Sequence, residues 1–305
     1  MHLLFYRIFL TLSLSFLFYS CQNTEKKERF YVVTTTGHIA DLVRNVAGNK
    51  ATVAPLMGAG VDPHLYKASL SDLKLLQSAD IIFYNGLHLE GKMGEVFHKL
   101  SRTKKVFAVS DGIPRDSLLM VDEENHIPDP HIWFDVEVWQ YCLDKVCKEM
   151  ILADPENKEY YLANAAKYRK ELNDLNILIK DKFQIIPRHE RLLVTAHDAF
   201  GYFGRRYDVE VIGLQGISTL SEYGLNEITT LSRMLISRKV KAVFIETSVS
   251  EKAIQSVIEG CKQQGHLVKI GGSLYSDALG AANTPEGTYI GMQKANLKLI
   301  TEGLK

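Results

Sequence analysis

The sequence predicts an α/β protein of two similar lobes, each a parallel sheet flanked by helices, joined by one long rigid backbone helix. Short apolar or β-branched runs alternate with stretches of helical spacing, and this alternation restarts after residue 190. Between the two series lies a single apolar stripe about thirty residues long, too long for one strand and typed as helix by its period.

In the first series, strands are expected at Phe30 to Thr36, Ala51 to Met57, Asp80 to Tyr84 and Lys105 to Val109. Between them Ile39, Leu42, Val43 and Val46, then Leu70, Leu73, Leu75 and Leu76, fall at helical spacing. Strands separated by helices pair in parallel, because a crossover is needed to bring each new strand back in the same direction. The connector follows, with Asp154 and Pro155 as N-cap and first-turn proline and Pro187 as the stop. Tyr161, Ala165, Tyr168, Leu172, Leu175 and Ile179 step by four and three along it. Such a helix is about 45 Å long, and with no Gly or Pro inside, it joins the lobes rigidly. The second series places strands at Leu192 to Ala196, Val209 to Leu214, Lys241 to Glu246 and Leu267 to Ile270. Each lobe is expected to have its own core.

The first twenty residues stand apart. MHLLFYRIFLTLSLSFLFYS has one early cation, Arg7, before an almost unbroken apolar run from Ile8 to Tyr19, roughly half of what a membrane-spanning helix needs. It reads as a signal peptide. Cys21 follows at once, with Leu17 four residues earlier and Ser20 directly before it, which resembles the processing site of bacterial lipoproteins and implies a lipid on Cys21. QNTEKKE then lacks the apolar residues needed to offset ordering entropy. The expected organisation is a signal peptide (1–20), a lipidated tether (21–28), an N-terminal lobe (29–153), a connecting helix (154–187) and a C-terminal lobe (188–305). The protein is expected to be exported, on the periplasmic or outer face of the cell membrane.

Lys plus Arg equals Asp plus Glu at 36 each, so no net field draws the chain to nucleic acid, and a small or locally bound partner is favoured. Cys142, Cys147 and Cys261 are too few and too irregular for a stapled fold. The first two are five apart on a helix and point to different faces, so buried, unpaired thiols are expected. With no CxxC pair, a thiolate metal site is disfavoured. Neither GxGxxG nor GxxxxGK[ST] occurs, which removes a phosphate loop.

In open α/β sheets ligands bind beyond the carboxyl ends of the strands. Four residues stand there: His64 in VDPHLYKAS, His131 in DPHIWFD, His197 in TAHDAFGYF directly after LLVTA, and Asp277 in GGSLYSDALG. Two come from each lobe. The Asp-Pro-His triplet occurs twice, each time with an aromatic residue two positions on, Tyr66 and Trp133. Proline stiffens the loop that presents each imidazole, and Asp62 and Asp129 are placed to cap the turns. From spacing alone Asp277 is no more than a loop cap. Imidazoles suit Zn, Mn, Fe, Cu or Ni, and a carboxylate adds charge. Three His and one Asp would close a coordination sphere, whereas a hydrolytic metal leaves a position open for water. Glu246, at the end of KAVFIE, reads equally as an acceptor orienting an imidazole or as a helix-start carboxylate. His38, His88, His98 and His266 are not expected to be ligands, and Tyr66, Trp133, Phe200 and Tyr202 are expected to pack around the site.

These segments resemble the metal-binding cluster of ABC-transporter substrate-binding proteins for zinc, manganese and iron, over about residue 30 to the C-terminus, with GTYIGMQKANLKLI at the end also similar. The resemblance implies two α/β lobes on a long helix and one ligand from each motif: His64, His131, His197 and Asp277. It also implies one divalent transition-metal ion (Zn2+ or Mn2+) as transported ligand, an ABC permease and its ATPase as partners, a lipid anchor to the membrane, a monomer, and no enzymatic activity. Manganese-selective members commonly carry Glu where this chain has His197. Zinc-selective members often carry a histidine-rich loop where it has DSLLMVDEENHIPD, so the resemblance leaves both metals open.

Overall fold

The computed structural model describes residues 29–304 apart from Glu123 and Glu222. The expected signal peptide, Cys21 and the tether lie outside the described residues. Strands β1 (Phe30–Thr34), β2 (Ala51–Pro55), β3 (Ile81–Tyr84) and β4 (Lys105–Ala108) form a parallel sheet in the order β2-β1-β3-β4. The crossovers are α1 (Gly37–Ala47), α2 (Leu70–Ser78) and α3 (Gly94–Leu100). Ile39, Leu42, Val43 and Val46 of α1 are all fully buried, as their spacing requires. On α2 only Leu76 of the four spaced leucines is buried, and Leu70 is 80% exposed. That helix owes its start to a capping box instead: Ser69 accepts from the Asp72 backbone N–H while Asp72 accepts from that of Ser69.

Between β4 and the connector, a short antiparallel hairpin, β5 (Met120–Asp122) and β6 (Ile127–Pro128), lies within the segment DSLLMVDEENHIPD. Its turn is closed by Asp122, whose carboxylate accepts from Asn125 N (2.8 Å) and Nδ2 (2.7 Å). Strands this short carry no readable alternation. Helix α4 (Val136–Ala153) starts at Asp135, which accepts from the backbone N–H of Glu137 and Val138. The long helix α5 (Lys158–Gln184) buries the six spaced residues of the stripe and, with 27 residues, is about 40 Å long. It starts later than Asp154 suggests. Asp154 ends α4, a single 3-10 turn (Pro155–Asn157) intervenes, and the Asp154 carboxylate is taken by Tyr161 Oη (2.5 Å) and Asn157 Nδ2 (2.7 Å).

The second lobe holds β7 (Leu192–His197), α6 (Gly201–Tyr207), β8 (Glu210–Gln215), α7 (Leu225–Ser237), β9 (Ala242–Glu246), α8 (Lys252–Gln263), β10 (Lys269–Leu274) and α9 (Tyr289–Gly303). β7 pairs with β8 and β9 with β10, all parallel, and β7 lies beside β9. The ladders are two separate two-stranded sheets, β7-β8 and β9-β10, whereas the first lobe has one continuous four-stranded sheet. β10 runs four residues past the Ile270 end suggested by the apolar run, through Gly271 and Gly272. A Cβ at Gly271 would meet the Phe244 ring at 2.8 Å, so strand β10 can lie against that ring only where it carries no side chain.

The two lobes do not have separate cores. The largest apolar cluster runs from Val32, Ile81 and Phe83 through Trp133, Trp139, Tyr168 and Leu172 to Phe244, Leu274 and Tyr289, while smaller clusters fill the outer side of each sheet. Helix α9 causes this by returning from the second lobe to the first. Its Tyr289 N–H and the α5 hydroxyl of Tyr168 both donate to buried Asp41 on α1 (3.2 and 3.0 Å). Cys142, Cys147 and Cys261 are unpaired and buried. Among the described residues no helix is long and apolar enough to cross a membrane.

Candidate metal centre

All four motif residues converge at the carboxyl ends of the strands. His64 lies on the loop leaving β2, His131 follows the β5–β6 hairpin, His197 is the last residue of β7, and Asp277 lies just beyond β10. The two Asp-Pro-His loops are built alike. Asp62 Oδ1 accepts from His64 N and Asp129 Oδ1 from His131 N, both at 2.8 Å, so each aspartate folds its loop into an Asx turn that aims the imidazole inward. Asp129 Oδ1 also accepts from His131 Nδ1 (2.7 Å), which turns the Nε2 lone pair toward the centre. Beyond His197, a Cβ at Gly213 would meet the Asp198 backbone N at 2.5 Å, so glycine there lets the turn press against β8.

Glu246, at the end of β9, accepts from the His197 backbone N–H through Oε1 (2.9 Å) and sets Oε2 at 2.5 Å from His197 Nδ1. That second contact is close but misaligned for a hydrogen bond, and both atoms are otherwise unpartnered. The hydrogen bond that Glu246 accepts is thus from the His197 backbone, and its other oxygen faces the imidazole as a neighbouring charge.

One ligand atom from each of His64, His131, His197 and Asp277 lies within 4.8 Å of all the others, and the four side chains are buried. His64 Nε2 and His131 Nε2 are 3.3 Å apart. Asp277 Oδ2 is 3.6 Å from His64 Nε2 and 3.3 Å from His197 Nε2, and Oδ1 is 3.4 Å from His131 Nε2. These four separations, drawn from both Asp277 oxygens, have the length of the edges of a tetrahedron about 2.0–2.2 Å in radius, the span of zinc–imidazole and zinc–carboxylate bonds, while the set with one atom from each residue spans up to 4.8 Å. Neither Asp277 oxygen, nor His197 Nε2, has a hydrogen-bond partner. A buried carboxylate so placed is costly unless a cation joins it.

The protonation states differ around the cluster. Burial disfavours the Asp277 charge, but His197, His131 and His64 outweigh it and hold the carboxyl well below the usual range. Burial lowers His64 to about 4 against the pull of Asp277. Burial also works against a charged His197, but Glu246 and then Asp277 overcome it and raise its pKa well above the usual value. His64 thus has its lone pair ready at neutral pH, while His197 must give up a proton to bind a metal.

The ZnuA family, described as zinc-uptake complex component A periplasmic, matches residues 32–303. The chain belongs to this family. Among relatives, the manganese-binding lipoprotein MntA of Bacillus subtilis is 46% identical over 278 residues, covering 91% of this chain and 90% of that one. The zinc-binding protein TroA of Treponema pallidum is 45% identical over 273 residues, covering 90% and 88%. The solved structure of periplasmic zinc-binding TroA from the same organism matches with a TM-score of 0.88 at 44% identity, over 90% of this chain and 99% of that one. The architecture read from the sequence, two α/β lobes on one long helix, is that of the family.

Two cross-lobe contacts of the surroundings were not legible in the sequence, one at Trp133, read there as packing, and one at Thr219. Trp133 donates its indole N–H to Ser276 O (3.0 Å), tying the residue beside Asp277 to the His131 loop across the lobe boundary, and stacks on buried His38 (4.7 Å). Thr219 Oγ1 donates to Asp62 Oδ2 (2.7 Å), and no sequence signal marks it. Tyr66, expected beside the site, instead donates to Asp72 at the start of α2 (2.8 Å). Phe200 packs on Phe134, and Tyr202 Oη accepts from Leu119 N (3.0 Å).

Proposed function

We propose that this protein is the extracytoplasmic receptor of an ABC importer, capturing one Zn2+ or Mn2+ between its lobes through His64, His131, His197 and Asp277 and delivering it to a membrane permease and its ATPase. The observation that carries the reading is Asp277, a buried carboxylate whose two unpartnered oxygens face three imidazole nitrogens at 3.3–3.6 Å. Four protein donors fill a tetrahedral ion's positions, so the site holds its ion rather than activating water on it. The relatives' names, manganese-binding lipoprotein and zinc-binding protein, support a metal cargo and, through the first, a lipid on Cys21.

On this reading the N-lobe (29–153) and C-lobe (188–305) each bring two ligands, the connector (154–187) with its helix α5 limits how far they part, and the lipidated tether (21–28) keeps a monomer at the membrane after removal of the signal peptide (1–20). Chelator-competed titration tests it. Wild type should retain one zinc per chain and hydrolyse no ester or phosphoester, and His64→Ala with His131→Ala should abolish tight binding while keeping the fold. Retention by that variant would refute the ligand assignment. Cys21→Ser should release a soluble exported form, and a wild type that is already soluble would remove the anchor while leaving the receptor.

A further inference from the structure

We propose that the hydrogen bond from Thr219 to Asp62 is a latch that sets how fast the ion leaves, making Thr219 a positioning residue for His64. This rests on the receptor reading above. The Asp62 carboxylate works on two sides. Oδ1 accepts from His64 N (2.8 Å) and Leu65 N (3.4 Å), which gives the His64 loop its shape, while Oδ2 accepts from Thr219 Oγ1 of the other lobe at 2.7 Å.

The Thr219 side of the latch is itself anchored beside a ligand. Gln215 is the register partner of His197 across the β7–β8 ladder, and its backbone carbonyl accepts from Asp198 N (3.0 Å). The Gln215 side-chain amide donates to Thr219 O (2.7 Å) and Ser221 O (2.5 Å), pinning the segment on both sides of Leu220. Named contacts therefore run from His197 through Gln215 and Thr219 to Asp62 and His64. They join one ligand of each lobe.

The other two ligands are joined by a second strap of different character. Trp133, two residues from His131, donates to Ser276 O beside Asp277, and its own carbonyl accepts from Tyr289 Oη (2.7 Å) and Gln293 Nε2 (2.9 Å). Those residues are fully or almost fully buried, and Trp133 and Tyr289 belong to the shared core. Asp62 and Thr219 are only half-buried. Water can compete for the Asp62 bond and not for the Trp133 bond, so local opening starts at the Asp62 edge, with the core strap as pivot. His64 is the ligand freed first.

The test uses the full-length, zinc-loaded protein mixed with excess chelator in a stopped-flow instrument, with zinc association measured separately. Thr219→Val keeps the shape and removes the donor. It should speed zinc release about ten-fold, the size expected for one hydrogen bond to a charged acceptor, and leave association nearly unchanged, since affinity changes at a fixed interface fall mainly on release. Thr219→Ser, which restores the hydroxyl, should return release to the wild-type rate, whereas a general loosening of the segment would not be rescued. In an Asp62→Ala background Thr219→Val should have no further effect. Release from Thr219→Val at the wild-type rate, or an equal acceleration in the Asp62→Ala background, would overturn the latch and leave the receptor standing. A wild type that retains no zinc would overturn the receptor reading and the latch with it.

Discussion

Replacing Glu246 by Gln alters one functional group in the cluster and leaves the backbone alone. The amide oxygen can still accept from His197 N, so the 2.9 Å bond that ties the end of β7 to β9 survives. The negative charge 2.5 Å from His197 Nδ1 is lost. That charge has two opposing effects on metal capture. It makes the imidazole a better donor, and removing such a carboxylate typically costs about 10- to 100-fold in affinity, or about 1.4–2.8 kcal/mol. It also raises the His197 pKa against the effect of burial, and so sustains a proton with which the metal competes. Glu246→Gln should therefore show its full loss only at a pH above the raised His197 pKa, and a shrinking loss as pH falls. Calorimetric zinc titrations in two buffers of different ionisation enthalpy read both quantities, and the variant should release fewer protons than wild type at pH 7. Equal affinity at the higher pH together with an unchanged proton count would refute the role given to Glu246.

In wild type the sign of the pH dependence follows from the same shifts. His197, with a raised pKa, is protonated in the free protein at neutral pH, so zinc binding at pH 7 should release about one proton and apparent affinity should fall with decreasing pH from above the usual imidazole value, while His64, at about 4, adds its own loss only near that pH; calorimetry checks both, and a proton count of zero would contradict the assignment. Asp277→Asn should cost about 3 kcal/mol or more in zinc binding, as breaking a buried charge pair does, with a relatively greater loss for the harder Mn2+; chelator competition with each metal measures it, and a loss confined to zinc would argue against Asp277 as the shared anion. Because the lobes share one core, small-angle scattering should detect only a slight change on metal removal, and a wide opening would contradict the pivot assigned to Trp133.

The fold was legible where periodicity runs long. The stripe from Tyr161 to Ile179 specifies α5, and Ile39 to Val46 specify the buried face of α1. The 3-10 turn before α5 was not, because the hydroxyl of Tyr161 takes the Asp154 carboxylate from a distance that no local pattern encodes. The β5–β6 hairpin is too short to alternate, and the continuation of β10 through Gly271 depends on Phe244 from a neighbouring strand. At the site, repetition marked the two Asp-Pro-His loops and the strand end marked His197, but Asp277 had no signal of its own beyond the family resemblance. The cross-lobe contacts of Trp133 and Thr219, and the core that α9 makes common to both lobes, join residues far apart in the chain and carry no spacing rule.

The most direct measurement is X-ray absorption at the zinc edge on the loaded, full-length protein. The four-ligand site predicts a coordination shell of nitrogen and oxygen alone, four-fold at about 2.0–2.1 Å, with outer-shell scattering from three imidazoles that drops to two in the His64→Ala variant at saturating zinc. A sulfur scatterer near 2.3 Å, or an unchanged imidazole count in that variant, would contradict the claim that His64, His131, His197 and Asp277 hold the ion.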